Sequence, residues 1–115
     1  TVSSQIKEGI SPVEVIKTTF PMGSMTGAPK ISAMKIIEEL EVTKRGLYSG
    51  CVGYFSPQGD FDFNVIIRSI LYNSANKYLS FSVGSAITAK SDPEKEYEEC
   101  LTKAAAMHRV LEKFK

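Results

Sequence analysis

The sequence predicts an α+β fold in which helices pack on one face of an antiparallel β meander. Two patterns support this prediction: apolar residues recur at helical spacing towards both ends of the chain, and they alternate with polar residues in its middle. Short turn sequences rich in Gly, Pro and Asn separate the alternating segments, which favours antiparallel neighbours over crossover connections. The predicted order is therefore helix, helix, three strands and helix.

The first helix is predicted from a capping box, in which Ser11 precedes Pro12 and Glu14 follows the serine by three positions. Proline fits the first helical position because the N–H that it lacks would have no helical partner there. A second helix is expected over residues 29–40, where apolar side chains return every three or four positions. Its apolar face comprises Ile31, Met34, Ile37 and Leu40.

The three strands are predicted over residues 50–55, 61–72 and 77–83. Turn sequences at residues 56–60 and 73–76 connect them. A final helix is expected to begin at Asp92–Pro93, since Asp is a good N-cap and Pro a good first residue. The expected apolar stripe of this helix comprises Tyr97, Leu101, Ala104, Leu111 and Phe114.

The composition limits the functional classes to which the chain can belong. A chain of 115 residues with 43% hydrophobic and 23% charged residues corresponds to one soluble domain or to a piece of a larger one. A net charge of +1 gives no support to nucleic-acid binding, which usually needs a basic face. No apolar run approaches the roughly 20 residues that a membrane span requires. Cys51 and Cys100 lack metal-type spacing, which favours reduced thiols and a cytoplasmic location.

A glycine-rich segment at residues 20–30, FPMGSMTGAPK, precedes the second predicted helix. Such a turn can offer free backbone N–H groups to an anionic ligand at the helix N-terminus. An ordinary loop before a capped helix is the alternative interpretation, because the segment matches no phosphate-loop or dinucleotide-binding pattern.

This segment is the first of five blocks that follow one another along the sequence. They are FPMGSMTGAPK at residues 20–30, GCVGY at 50–54, IIRS at 66–69, VGSAI at 83–87 and SDPEKEYEEC at 91–100. In this order they resemble the signature segments of the chorismate-binding enzymes, and together they span nearly the whole chain. The resemblance implies that residues 1–115 are the C-terminal portion of a chorismate-binding domain, without the rest of that domain, and part of a larger α/β sandwich.

The resemblance also implies an activity. The expected enzyme converts chorismate and ammonia to 4-amino-4-deoxychorismate, on the route to 4-aminobenzoate and folate, with Mg²⁺ as cofactor and a glutamine amidotransferase as the partner that supplies ammonia. Formation of anthranilate, of isochorismate or of salicylate is the alternative within the family. A non-catalytic α+β ligand-binding or interaction module is the alternative from another class.

The catalytic acid–base residues of the family are expected upstream of residue 1. The chain on its own is therefore expected to be inactive. Because an incomplete sheet leaves apolar surface uncovered, the chain is also expected to self-associate.

Glu96 and Glu99 are the predicted metal ligands. Their spacing of three places both carboxylates on one helix face, and Mg²⁺ prefers oxygen ligands. The alternative is structural, because acidic residues favour the first turns of a helix and Glu99 forms an i,i+4 pair with Lys103. The family resemblance favours the metal-binding interpretation.

The predicted substrate-binding residues follow from the same resemblance. A planar guanidinium such as that of Arg68 can grip a carboxylate with two hydrogen bonds, and the family resemblance adds a tyrosine that corresponds to Tyr54. Backbone N–H groups of the glycine-rich turn at residues 83–87 are expected to assist, although Ala86 stands where the family pattern has its last glycine. The remaining members of the predicted set are Gly84, Ser85, Lys103 and Ser24. Structural alternatives are a rim arginine on an exposed sheet face for Arg68, a surface pair with Glu99 for Lys103, and packing or helix capping for Ser24. His108 matches no motif and is expected to be an ordinary helix residue.

Overall fold

The structure, a computed structural model, describes residues 2–114 of the chain. The chain divides between Ile66 and Ile67 into two compact units. The first unit contains three helices and one β hairpin, and the second contains one β hairpin and one long helix. The predicted α+β class is therefore confirmed.

Helix α1, Pro12–Thr19, begins as the capping box predicts. The backbone N–H of Glu14 donates to the Ser11 hydroxyl oxygen at 3.2 Å, so one of the unpaired amides of the first turn has an acceptor. The helix ends at Thr19.

Two further helices follow in the glycine-rich segment. The short α2, Gly23–Thr26, was not predicted, and Gly27 ends it with a φ of 129°. A residue with a β-carbon rarely adopts that angle, so glycine is required at this end. Helix α3, Lys30–Leu40, begins one residue later than predicted because Pro29 takes the extended conformation of an N-cap.

Strands β1, Cys51–Phe55, and β2, Phe61–Val65, form an antiparallel hairpin in the first unit. Its turn is the one predicted at residues 56–60, closed by a 2.7 Å hydrogen bond from the Ser56 N–H to the Asp60 carbonyl oxygen. Gly53 lies opposite Phe63, and a β-carbon at this position would lie 2.1 Å from the Asp62 carbonyl oxygen. Only glycine therefore fits at this point of the hairpin.

The buried part of the first unit is small. Among the described residues, Ile66 is the buried apolar side chain and Ser49 the buried polar one, with 7% and 5% exposure. They are neighbours, because the Ser49 N–H donates to the Ile66 carbonyl oxygen at 3.0 Å and the Ile66 N–H donates to Gly50 at the same distance. These bonds extend the hairpin by one residue pair beyond β1 and β2.

The second unit begins with a hairpin of β3, Ile70–Asn73, and β4, Tyr78–Phe81. Asparagine side chains close its turn: Asn73 accepts from the Ala75 N–H at 3.0 Å, and Asn76 accepts from the Tyr78 N–H at 3.1 Å. Helix α4, Pro93–Glu112, follows after an irregular segment. The rings of Phe81 and His108 meet edge-to-face at 5.2 Å within this unit.

The predicted three-stranded meander is corrected by the structure. The alternating segment at residues 61–72 forms two strands, each paired in its own two-stranded sheet. The break at residues 66–69 contains Arg68, whose φ of 51° lies in the left-handed region. A continuous extended strand cannot include that conformation, so β2 ends at Val65 and β3 begins at Ile70.

The predicted apolar stripe of α4 is also corrected. Tyr97, Leu101 and Phe114 are exposed. The less exposed face instead follows Glu96, Cys100, Ala104, Met107 and Leu111. One of the two predicted metal ligands therefore lies on the more protected side of the helix. Among the described residues, no helix has both the length and the apolar character needed to cross a membrane.

Candidate functional site

Five of the predicted site residues come together in the second unit: Gly84, Ser85, Glu96, Glu99 and Lys103. We call this group the carboxylate cluster. The start of α4 determines its geometry, because the Asp92 side chain accepts from the backbone N–H groups of Glu94 at 3.0 Å and Lys95 at 3.2 Å. With the helix fixed at this point, positions i, i+3 and i+7 place the two carboxylates and the ammonium group on one face.

The Ser85 hydroxyl group links the two carboxylates. It hydrogen-bonds to the Glu96 carboxylate, and its oxygen lies 2.9 Å from Oε2 of Glu99. A hydroxyl group has one proton, so it can donate to only one of these acceptors at a time. The arrangement therefore gathers more acceptor oxygens than the hydroxyl group can satisfy.

Lys103 joins the helix to the glycine-rich turn. Its Nζ atom lies 2.7 Å from Oε1 of Glu99 and donates to the Gly84 carbonyl oxygen at 2.9 Å. Hydrogen bonds from Lys103 and then from Ser85 lower the pKa of Glu99 below its ordinary value. Two carboxylates against one ammonium group leave the cluster with one net negative charge.

The donor set of the cluster fits a hard divalent cation. The described residues contain no group of three or more His, Cys, Asp or Glu side chains that could hold a metal ion, so the cluster offers a pair of carboxylates. Mg²⁺ commonly binds through one or two carboxylates and completes its coordination with water and substrate oxygens. Glu96 and Glu99 match that requirement, and the Ser85 hydroxyl group already holds their oxygens together.

Arg68 belongs to the second unit but not to a strand, contrary to the prediction. Its side chain is exposed, and it makes no hydrogen bond or ion pair within residues 2–114. A left-handed backbone at a non-glycine residue is uncommon and is often found at functional positions. The guanidinium fork of Arg68 is therefore available to a planar anion such as a carboxylate.

The other two predicted substrate residues, Ser24 and Tyr54, lie in the first unit. Ser24 is exposed in α2, and Tyr54 is 64% exposed in β1, where it pairs with Asp62. Neither side chain makes a hydrogen bond within the described part of the chain. Their proposed roles in substrate binding stay predictions, as do the roles of the cluster residues.

The sequence analysis missed a cavity in the first unit. It has a volume of about 290 Å³, and its lining includes Thr26, Glu41, Arg45, Tyr48 and Ser49. The spacing of four between Glu41 and Arg45 was the available signal. Arg45 follows the end of α3 and lies between the predicted helix at residues 29–40 and the predicted strand at residues 50–55, so no helical pattern covered this pair.

Arg45 is the most connected side chain at this cavity. Its Nε and Nη2 atoms donate to the Glu41 carboxylate at 2.9 and 2.5 Å, and its Nη1 atom donates to the Met25 carbonyl oxygen at 2.7 Å. The hydrogen bonds between the two side chains lower the pKa of Glu41 and raise that of Arg45, while partial burial opposes both shifts. Both groups are therefore charged throughout the neutral range.

Comparison with known proteins identifies the family. The profile described as chorismate binding enzyme matches residues 1–109, and the chain belongs to that family. The family resemblance inferred from the five sequence blocks is therefore confirmed.

Individual relatives carry two different names. The chain is 46% identical over 112 residues to the aminodeoxychorismate synthase of Streptomyces griseus, a match that covers 97% of the chain and 15% of that protein. It is 50% identical over 103 residues to the probable chloroplastic aminodeoxychorismate synthase of rice, covering 90% of the chain and 11% of the relative. It is 44% identical over 111 residues to anthranilate synthase component 1 of Aquifex aeolicus, covering 96% and 22%.

The matched region is a small part of each relative. The chain spans between 11% and 22% of the length of these three proteins. The activity, substrates and partners of the whole proteins therefore reach this chain only as proposals.

Proposed function

We propose that the chain is the C-terminal part of an aminodeoxychorismate synthase, which aminates chorismate to 4-amino-4-deoxychorismate. The carboxylate cluster is the observation that supports this proposal most directly. It places Glu96 and Glu99 within reach of one hydroxyl group, beside the glycine-rich turn that contains Gly84. Identities of 46% and 50% to aminodeoxychorismate synthases support the choice of reaction.

In this proposal Glu96 and Glu99 hold Mg²⁺ through their carboxylates. When bound, the ion would neutralise a substrate carboxylate, orient the ring and act as a Lewis acid towards the departing hydroxyl group. Ser85 keeps the two carboxylates close before the ion binds. Lys103 contacts both Glu99 and the Gly84 carbonyl oxygen, so it keeps the proposed metal ligand at a fixed distance from the glycine-rich turn.

In this proposal cationic and polar groups bind the substrate carboxylates. Arg68 supplies a fork of two N–H donors, and Tyr54 supplies a hydroxyl group. Backbone N–H groups near Gly84 and Ser85, together with the Ser24 hydroxyl group, complete the proposed set. The exposure of Arg68 and its freedom from other pairs within residues 2–114 support its assignment.

The remaining requirements are proposed to come from other polypeptide segments. A glutamine amidotransferase component would supply ammonia, and the acid–base residues of catalysis would lie upstream of residue 1. The chain alone is then inactive towards chorismate, and the enzyme is cytoplasmic. Large exposed apolar side chains, such as Val42 at 99% and Ile87 at 73% exposure, support the further expectation that the isolated chain self-associates.

Anthranilate synthesis is the second candidate within the family. It is favoured by the 44% identity to anthranilate synthase component 1, which is close to the values for the aminodeoxychorismate synthases. Both reactions use chorismate, so the cluster geometry supports them equally.

Product analysis decides between these candidates. The proposed full-length enzyme is incubated with chorismate, Mg²⁺ and ammonium, and the products are separated by chromatography. We expect 4-amino-4-deoxychorismate; anthranilate as the main product would favour the second candidate. Unchanged chorismate in the presence of a correctly folded full-length protein would refute both and favour a binding module.

A further inference from the structure

Arg45 connects two segments of the first unit that are distant in sequence. Its Nη1 atom donates to the Met25 carbonyl oxygen at 2.7 Å, across a separation of 20 residues. The same nitrogen lies 3.4 Å from the Ser49 hydroxyl oxygen, in the turn that precedes β1. One guanidinium group thus spans from α2 to the start of the hairpin.

The orientation of this guanidinium group is fixed from its other side. Glu41 receives hydrogen bonds from Nε and Nη2 in a bidentate arrangement, and the Arg45 side chain is only 25% exposed. Bidentate pairs of this kind are geometrically specific as well as strong. Nη1 is therefore directed at the Met25 carbonyl oxygen rather than being free to sample solvent.

The segment held by Arg45 has little stability of its own. Helix α2 has four residues, and so short a helix is not stable in isolation. By contrast, Ser49 is 5% exposed and its N–H bonds to the Ile66 carbonyl oxygen at 3.0 Å, so the far side of the link is anchored. Arg45 therefore ties an unstable turn to the most protected part of the unit.

We propose that Arg45 is a positioning residue: by holding the Met25 carbonyl oxygen it fixes the α2 turn and, with it, the adjacent Ser24. The consequence for substrate rests on the proposed function, since Ser24 was assigned to the substrate there. The mechanical part rests on the contacts alone. Arg45 itself touches no reacting group in this proposal.

Amide hydrogen exchange tests the mechanical part on this chain. Arg45→Met removes the donors but keeps an unbranched side chain. We expect the amides of Met25, Thr26 and Gly27, which bond to Met22 and Gly23 within the turn, to exchange about ten- to hundredfold faster. Amides of β1 and β2 should keep their protection.

Lys44→Met is the matched control, because Lys44 is the neighbouring cation and pairs with Glu38, and within residues 2–114 it makes no hydrogen bond to α2. It should leave the exchange rates of the amides of Met25, Thr26 and Gly27 unchanged. The proposal is overturned if Lys44→Met gives the same acceleration, if Arg45→Met gives none, or if protection falls equally across β1 and β2.

A milder variant covers the case in which Arg45→Met does not fold. Glu41→Gln keeps Arg45 and weakens only the carboxylate that orients it. A smaller acceleration restricted to the same three amides supports positioning, whereas uniform loss of protection across the unit overturns it.

Kinetics test the consequence for substrate in the proposed full-length enzyme. Arg45→Met should raise KM for chorismate about tenfold. Arg45→Lys should recover part of this effect, and Lys44→Met should match the parent. A purely structural role would reduce the active fraction, and hence kcat, without changing KM.

The experiments distinguish a failure of the proposed function from a failure of the positioning role of Arg45. A parent enzyme that does not turn over chorismate refutes the proposed function and leaves the exchange result intact. A parent that is active, with an unchanged KM in Arg45→Met, overturns the positioning role.

Discussion

The Arg45 link of the first unit and the carboxylate cluster of the second use the same chemical groups for different ends. At Arg45, one guanidinium group matches one carboxylate and one backbone carbonyl oxygen, and each of its three nitrogen atoms has an acceptor. At the cluster, one hydroxyl proton serves two carboxylates, and Lys103 neutralises only one of them.

This difference separates a structural role from a functional one. A balanced, half-buried pair fixes backbone position and has no remaining attraction for a ligand. A pair of carboxylates that keeps one net negative charge beside a single ammonium group still attracts a further cation. The comparison therefore predicts that changes at the cluster alter ligand binding directly, whereas changes at the Arg45 link act through the conformation of the α2 turn.

The largest expected effect is on metal dependence. Glu99→Gln removes one charged oxygen donor, and we expect the Mg²⁺ concentration for half-maximal activity of the proposed full-length enzyme to rise about 100-fold. Titration of activity with Mg²⁺ measures it, with Glu98→Gln as the control on the same helix. An unchanged Mg²⁺ requirement in Glu99→Gln would remove the metal-binding role from this residue.

The next effect concerns the stability of the first unit. At Gly53 a β-carbon would meet the Asp62 carbonyl oxygen at 2.1 Å, so Gly53→Ala should destabilise the unit by about 2–3 kcal/mol. Urea unfolding measures the loss. Gly23→Ala is the control, because a β-carbon there has no neighbour within 4 Å and its φ is not positive. Equal stability of the two variants would contradict the hairpin geometry.

A third effect concerns the substrate carboxylate. Arg68→Lys keeps the charge but loses the two parallel N–H donors. It should lower kcat/KM for chorismate by an amount equivalent to about 1.5–3 kcal/mol of transition-state binding, with the free energy of unfolding unchanged. Arg109→Lys, on the last turn of α4, is the control for replacement of a guanidinium group elsewhere in the chain. If Arg68→Lys matched the parent in kcat/KM, Arg68 would have no role in binding the substrate.

Local signals predicted the helices well, because a helix start depends on a few adjacent residues. Ser11 and Asp92 cap α1 and α4 as the sequence indicates. The break in the middle of the predicted meander had no such signal, since Arg68 adopts a left-handed backbone that sequence associates with Gly or Asn. Its conformation depends on tertiary context, which alternation of apolar residues does not report.

The same contrast applies to the candidate sites. The helical spacing of Glu96, Glu99 and Lys103 was enough to place them on one face, and the structure adds Ser85 beside them. Arg45 could not be found in this way, because its contact with Met25 crosses 20 residues and depends on where α3 ends. The sequence therefore predicted that the cluster residues share a helix face, but it did not predict the contact between Arg45 and Met25.

The smallest expected effect concerns the titration of Glu99. Lys103 is the main cause of its lowered pKa, so Lys103→Met should move that pKa back towards the ordinary value for glutamate. Because a lowered folded-state pKa stabilises the protein above the unfolded-state value, this contribution is lost as the pH falls through the folded-state pKa. In Lys103→Met the free energy of unfolding should therefore fall less steeply as the pH is lowered into the acid range.

Carboxyl-carbon NMR of the chain measures this pKa directly, with Lys95→Met as the control for loss of a nearby charge on α4. Ser85→Ala should give a smaller shift in the same direction, since the Ser85 hydrogen bond is the second cause. A Glu99 pKa that Lys103→Met leaves unchanged would mean that Lys103 does not hold this carboxylate, and the proposed link from the metal ligand to the Gly84 turn would be lost with it.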